Sequence, residues 1–262
     1  MDQPHYIVTG VASGIGAALA AQLLARGCRV TGFDVRPPQD AAFPCHEVDL
    51  ADLASIEPAF ARAAGPFDGL CNNAGVSPRP GQEAAILTIN YFAQRAVTRA
   101  VLPRLAPGAS IVNMASRAGA RWRENLDQVK RLAALDPRDT AAFVRDEGID
   151  AARAYNLSKE ALIAWTLAES EAMTARGLRI NAVCPGAVAT ALLSDFAAAF
   201  GDAMARNVAR AGRPGLPGEI ASVAAFLLGP DSNWLRGAEI SPDGGMGAFA
   251  ASDTLGLAAL RL

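Results

Sequence analysis

Tyr6-Ile7-Val8-Thr9-Gly10-Val11-Ala12-Ser13-Gly14-Ile15-Gly16, followed by the small-residue run from Ala17 to Ala25, decides the fold. Tyr6 to Thr9 is a short apolar run of the kind found in strands buried on both faces, and Ala17 to Ala25 reads as a helix that stops before Gly27. The segment between them is glycine-rich. Glycines there allow a tight turn and a close approach of backbone to ligand, and the free N–H groups at the start of a helix attract a pyrophosphate. An ordinary βα turn has a similar composition, but the position between strand and helix favours phosphate binding.

Working outward, the chain repeats the same alternation. Arg29-Val-Thr-Gly-Phe-Asp34 is a second strand that ends on a carboxylate eighteen residues after Gly16. That spacing brings an acid to the ribose hydroxyls of a bound dinucleotide and repels a 2′-phosphate, so NAD is favoured over NADP. Ser13, uncharged, offers the loop no cation, whereas Arg36 is either a phosphate partner or a solvated arginine. Cys45 to Leu50 is a third strand; its Asp49 either faces an adenine or caps the next helix. Phe67-Asp-Gly-Leu-Cys-Asn72-Asn73-Ala74-Gly75 is a fourth strand that breaks into small residues at its carboxyl end. Ser110 to Ser116 is a fifth, ending on a hydroxyl. Ligands bind at that edge of an open parallel sheet. The expected fold class is α/β: a single-domain, Rossmann-like, doubly wound and mostly parallel sheet of seven strands spanning residues 1–262, with helices on both faces.

Tyr155-Asn-Leu-Ser-Lys159 carries the chemistry. On a helix, spacing i,i+4 stacks the phenol and the ammonium on one face. A cation ~5 Å away at an effective dielectric of ~20 favours the phenolate by roughly 3 kcal/mol, or about two pKa units, bringing Tyr155 toward neutrality as a proton carrier. Tyr and Lys also meet at this spacing by chance, so the pair gains meaning only from its surroundings.

Composition narrows the classes. A net charge of -2 and a pI near 5.7 leave no basic footprint for nucleic acid. Cys28, Cys45, Cys71 and Cys184 are scattered, and only His5 and His46 stand beside them, which argues against a metal site or disulfide framework and for a reducing cytoplasm. The start of the chain lacks the pattern of a signal peptide, and no apolar run has membrane-spanning length. The hydrophobic fraction of 51% supplies a large core.

Thr9-Gly10, Gly14-Ile15-Gly16, Asn72-Asn73-Ala74-Gly75, Asn90, Ser116, Tyr155-x-x-x-Lys159 and Pro185-Gly186, in this order over nearly the whole chain, resemble the short-chain dehydrogenase/reductase family. The resemblance implies an NAD-dependent alcohol dehydrogenase or carbonyl reductase. Tyr155 would be the acid/base, and Lys159 would lower its pKa and bind the nicotinamide ribose. Ser116 would orient the substrate oxygen, and Asn90 would hold a water in the proton path. Gly10, Ser13, Gly14, Ile15 and Gly16 would receive the pyrophosphate, Asp34 the adenosine ribose, Asp49 and Leu50 the adenine, and Asn73, Ala74 and Gly75 the centre of the cofactor. Pro185, Gly186, Val188 and Thr190 would meet the nicotinamide. A dinucleotide sensor without chemistry is the rival from another class; Ser116, Tyr155 and Lys159 together argue against it.

Many members of the family have only a dozen or so residues between the serine and the tyrosine, whereas here residues 117–154 intervene. Their mixed charge indicates solvated helices, and Trp122, Leu126, Val129, Leu132, Leu135, Phe143 and Val144 indicate one buried side. Such an insertion is similar to that of the subgroup containing bacterial hydroxysteroid dehydrogenase/carbonyl reductases and coniferyl-alcohol dehydrogenases. It would obstruct the helix pair that builds family tetramers, favouring a homodimer, or would roof the substrate site. Residues 187–215, with Leu192, Leu193, Phe196, Phe200 and Met204, correspond to the family's substrate loop. They suggest a hydrophobic small-molecule substrate, either an aryl or allylic alcohol or a bulky cyclic one such as a steroid. The tail, 246–262, is rich in Ala and Leu and is expected to pack on a partner or close over substrate.

Overall fold

The computed structural model describes residues 3–260. Seven strands form one parallel sheet in the order β3-β2-β1-β4-β5-β6-β7. They are β1 His5–Thr9, β2 Arg29–Asp34, β3 Cys45–Glu47, β4 Phe67–Asn72, β5 Leu105–Met114, β6 Arg179–Val183 and β7 Glu239–Ile240. The helices are α1 Gly14–Ala25, α2 Leu53–Ala61, α3 Glu83–Leu87, α4 Ala93–Val101, α5 Leu126–Ala134, α6 Thr140–Asp146, α7 Ala151–Ala175, α8 Leu193–Ala211, α9 Pro217–Leu228 and α10 Met246–Leu255. This is the doubly wound α/β fold expected from the sequence. The winding reverses between β1 and β4, where such sheets open a crevice at their carboxyl edge.

Every residue of β1 is buried, because alternate side chains serve two cores. Ile7 packs with Phe33, Leu70 and Ile111 beneath α2, α4 and α7. Tyr6 and Val8 point the other way, into Leu19, Leu23, Val112 and Ala224 beneath α1 and α9. A third cluster joins Ile86 and Leu87 of α3, Ala154 and Leu162 of α7, and Val129 and Leu132 of the insertion. The insertion therefore buries one side, as its apolar pattern indicates. A polar clasp completes the contact: buried Glu160 accepts from Asn125 Nδ2 at 2.6 Å and Arg153 Nη2 at 2.7 Å, and Arg153 Nε donates to Gln128 Oε1 at 2.9 Å.

Several element ends differ from expectation. β3 stops at Glu47, so Asp49 and Leu50 lie in the following loop. The Asp49 carboxylate accepts from Ala51 N–H at 2.8 Å, and it is Asp52 that caps α2, accepting from Ala54 N–H. β5 begins at Leu105 and ends at Met114, leaving Ser116 beyond the strand as the cap of a 3₁₀ turn over Arg117–Gly119. The segment after Thr190, which corresponds to the family's substrate loop, is largely helical, but α8 buries none of its residues fully and bends at Gly201, whose φ of 46° is one that glycine tolerates.

Candidate functional site

A cavity of about 950 Å³ opens at the carboxyl edge of the sheet. Gly10, Ser13, Gly14, Ile15, Asp34, Asp49, Leu50, Asn73, Ala74, Gly75, Ser116, Tyr155, Lys159, Pro185, Gly186, Val188 and Thr190 all line it. Of the residues singled out in the sequence, Gly16 and Asn90 lie just behind this wall, both buried.

The turn after β1 is built by steric necessity. Gly10 has a φ of 71°, and a Cβ there would sit 2.9 Å from Ala74 Cα; a Cβ on Gly16 would sit 2.0 Å from Gly10 O. Only bare backbone fits. Thr9 stitches this turn to the end of β4, its hydroxyl accepting from Asn73 N–H and Ala74 N–H at 3.0 Å each. Asn73 Nδ2 returns bonds to Thr9 O at 3.0 Å and Gly10 O at 3.3 Å. Ser13 caps α1 without using its side chain, so the first N–H groups of the helix are left open to an anion. At the tip of β2, Asp34 accepts from Ala12 N–H at 2.9 Å and Arg36 N–H at 3.0 Å, and the Arg36 side chain is exposed.

Asn90 sits in a π-helical turn, Thr88–Phe92, between α3 and α4. Such turns occur mostly as single-turn interruptions of α-helices, often at functional positions. Its Oδ1 accepts from Val76 N–H at 2.8 Å, while its Nδ2 donates to Val76 O at 3.0 Å and Ser158 Oγ at 3.4 Å. The amide thus fixes the loop segment that continues from Gly75.

Tyr155 and Lys159 share one face of α7, and Lys159 Nζ lies 5.7 Å from the centre of the phenol ring. The expected lowering of the phenol is corrected here. Burial pushes Tyr155 up to about 12, with the nearby Ser116 hydroxyl offsetting part of the rise through a hydrogen bond. Burial also draws Lys159 down to about 8. The ammonium donates to Met114 O at 2.9 Å, and for both groups burial, which disfavours the charged form, is the largest cause of the shift. Phe196 and Phe200 of α8 cover the phenol edge-on, with ring centres at 5.0 and 6.3 Å.

The sequence reading missed residues that act through the main chain or across long separations. Val76 and Met114 contribute carbonyls, which carry no residue-specific signal. Arg117 Nε reaches Asp243 Oδ2 at 3.3 Å, tying the Ser116 turn to the start of α10. Of the insertion, Arg117, Ala118, Ala120 and Arg121 reach the cavity, whereas α5 and α6 supply none of its lining among the described residues. No helix among those residues is long and apolar enough to cross a membrane, and no group of three or more His, Cys, Asp or Glu could hold a metal ion.

Residues 4–126 match the short chain dehydrogenase family, and residues 140–247 match a family described as Enoyl-(Acyl carrier protein) reductase. The chain is 34% identical to coniferyl-alcohol dehydrogenase of Pseudomonas sp. (strain HR199 / DSM 7063), over 92% of this chain and 95% of that one. It is 32% identical to 3-alpha-hydroxysteroid dehydrogenase/carbonyl reductase of Comamonas testosteroni, over 92% and 96%. Among solved structures it matches the 3-alpha-hydroxysteroid dehydrogenase from Pseudomonas sp. B-0831 complexed with NADH, with a TM-score of 0.84 and 32% identity over 95% of this chain and 98% of that one. With two such relatives aligned along nearly their full length and the motif residues gathered at one cavity, the chain belongs to the short-chain dehydrogenase/reductase family of oxidoreductases.

Proposed function

We propose that this protein is an NAD-dependent dehydrogenase that interconverts a hydrophobic alcohol, aryl or allylic, with its carbonyl compound, using Tyr155 as the acid/base. The carrying observation is the placement of Tyr155, Lys159 and Ser116 on the same cavity as the glycine turn and Asp34. The residues fit a nicotinamide dinucleotide: a turn with no room for a Cβ at Gly10 or Gly16, open N–H groups at the start of α1, and a carboxylate at the tip of β2 to which the hydroxyls of a ribose diol would donate and by which a 2′-phosphate would be repelled.

Gly10 to Gly16 would hold the pyrophosphate, Asp34 the adenosine ribose, and Asp49 with Leu50 the adenine; Asn73 to Gly75, Pro185, Gly186, Val188 and Thr190 would wall the remainder. When bound, the dinucleotide supplies the hydride acceptor or donor and, oxidised, a positive ring beside the phenol. In oxidation, Tyr155 Oη takes the proton of the substrate hydroxyl; in reduction it returns one to the carbonyl oxygen. Ser116 donates to that oxygen as charge develops on it. Lys159, anchored by Met114 O, offers its remaining N–H groups and its charge to the ribose side of the phenol. Asn90 supports the site from behind by fixing Val76.

The apolar cover formed by Leu192, Phe196, Phe200 and Met204 favours an aromatic or otherwise greasy substrate. The names of the relatives supply the two substrate classes to compare: coniferyl alcohol and a 3α-hydroxysteroid. The test is absorbance at the reduced-nicotinamide band with aryl-allylic, cyclic and steroid alcohols, each with NAD and with NADP. Signal with NAD that depends on an alcohol is expected, strongest among aryl-allylic members. Dinucleotide binding without turnover of any alcohol would replace the enzyme by a sensor.

A further inference from the structure

Tyr155 is only 6% exposed, and two half-buried rings of α8 supply part of its cover. Phe196 and Phe200 stand four residues apart, so one face of the helix presents both. Their rings are nearly parallel, 10° apart with centres at 6.4 Å, and both meet the phenol edge-on, at 68° and 61°. Edge-to-face contact orients an aromatic ring as well as burying it.

Core packing is a poor account of this pair. α8 buries none of its residues fully, and both rings line the cavity. Phe196 is the nearer to the phenol, at 5.0 Å against 6.3 Å. It directly follows Asp195, which Ser77 and Arg79 hold, whereas Phe200 directly precedes the bend at Gly201. Phe196 is therefore the better fixed of the two.

The charges around the phenol come from elsewhere. Lys159 of α7 faces the ring, with the Cys184 thiol after β6 beside that ammonium. The Ser116 hydroxyl bonds to the phenol, Arg117 and Arg121 of the insertion line the same cavity, and Tyr91 of the π-helical turn shares the core cluster. α8 lines the cavity with Phe196, Phe200, Ala203, Met204 and Asn207; its Asp195 is drawn to Ser77 and Arg79, and its Asp202, Arg206 and Arg210 are exposed. The helix thus acts on Tyr155 by excluding water and not by charge.

We propose that Phe196 is a positioning residue of the reaction: aided by Phe200, it holds the Tyr155 ring edge-on and keeps bulk water from it, so that the proton passes between phenol and substrate. This inference rests on the proposed function and adds α8 to the parts that act on its acid/base.

The experiment compares wild type with Phe196→Ala, Phe196→Leu and Phe200→Ala in the oxidation of allyl alcohol, a small substrate, and of cinnamyl alcohol, at saturating NAD and across pH. Water admitted to the phenol stabilises its charged form and lowers its pKa. The phenol acts deprotonated in the proposed oxidation, so the acidic limb of kcat/KM in Phe196→Ala is expected about half a unit or more lower with either alcohol, or about threefold more of its own plateau rate on the limb. Phe196→Leu, which keeps an apolar cover, is expected to leave the limb in place, and Phe200→Ala to move it less than Phe196→Ala does. Without cofactor, ultraviolet difference titration of each protein against its Tyr155→Phe counterpart separates this phenol from Tyr6 and Tyr91, and the phenolate is expected at lower pH in Phe196→Ala. A limb or titration that Phe196→Ala leaves in place or raises, an equal shift in Phe196→Leu, a larger one in Phe200→Ala, or a change confined to KM for cinnamyl alcohol, as a substrate contact alone would give, overturns the inference and leaves the function standing. If Phe196→Ala does not fold, Phe200→Ala decides, and an unmoved limb there overturns the inference. No turnover of any alcohol overturns the function itself, and this inference with it.

Discussion

The strand-end wall of the cavity and its α8–α10 cover are held by different forces. At the ends of β1 and β4, Thr9, Asn73 and Asn90 exchange hydrogen bonds with neighbouring backbone, largely out of water. There is no room to relax, since a Cβ at Gly10 or Gly16 meets backbone. The cover has no fully buried residue in α8, and it is moored by side chains that, apart from buried Ser77, are near water: Asp195 to Ser77 and Arg79 at one end, Arg210 to Asp253 at the other, with the Gly201 bend between. Buried, mutually bonded groups fix atoms to fractions of an ångström, whereas exposed ion pairs contribute little and tolerate motion. The wall suits chemistry that every substrate shares, and the cover suits whatever part of the substrate varies.

The largest expected effect tests whether the chemistry belongs to the wall. Tyr155→Phe removes one oxygen and keeps the ring that Phe196 and Phe200 contact. Turnover should fall by roughly 10²–10⁴ or more, while NADH affinity measured by fluorescence stays within about twofold. Retention of a tenth of wild-type turnover would move the acid/base to another group.

Next comes Gly16→Ala. Its methyl would lie 2.0 Å from Gly10 O, and backbone cannot yield as a flexible side chain can. Overpacking of this kind costs roughly 1–3 kcal/mol, and here the turn proposed to meet the pyrophosphate must shift to absorb it. A lower Tm by calorimetry together with loss of NADH binding is expected. Unchanged binding would show that the wall is as forgiving as the cover.

A third test uses pH. Since burial holds the Tyr155 phenol near 12 and the Ser116 hydroxyl lowers it, Ser116→Ala should raise it further. In the proposed oxidation the phenol acts deprotonated, so the acidic limb of the pH–rate profile, where activity rises with pH, should move to higher pH, by up to about one unit. A limb that stays in place would confine Ser116 to its other observed role, accepting from Ala118 N–H at 3.1 Å.

Much of the wall was legible in the sequence and much of the cover was not, for the same physical reason. Gly10, Gly14, Gly16 and Asp34 stand at spacings dictated by a strand–turn–helix unit, so local order and burial reveal them. Tyr155 and Lys159 obey helical spacing. The direction of the phenol shift was misread because spacing reports proximity and not desolvation, and burial dominates here. Bonds such as Ser77 to Asp195 join residues more than a hundred positions apart through common side chains, and only the folded chain brings them together. Asp49 illustrates the middle case: its place at the cavity was legible, while the cap of α2 falls to Asp52, which stands immediately before the first residue of that helix.

The smallest expected effect falls on the mooring of the cover. Asp195 accepts from Ser77 Oγ at 2.6 Å and from Arg79 Nε at 2.9 Å, and those two bonds hold its carboxyl below the usual value of 3.8. A depressed carboxylate contributes its stabilisation above that usual value and loses it as pH falls through the lowered one, so acidification to pH 5 should leave the mooring intact. Asp195→Asn weakens it at any pH. Because Arg79 is exposed and Asp195 only part-buried, KM for the alcohol should rise by at most about fivefold, with kcat and Tm nearly unchanged. The same variant should lose less at 1 M salt, where the mooring is already screened. A large fall in kcat, or an effect that salt does not diminish, would mean that the cover is fixed as firmly as the strand ends and that the contrast between the two regions does not hold.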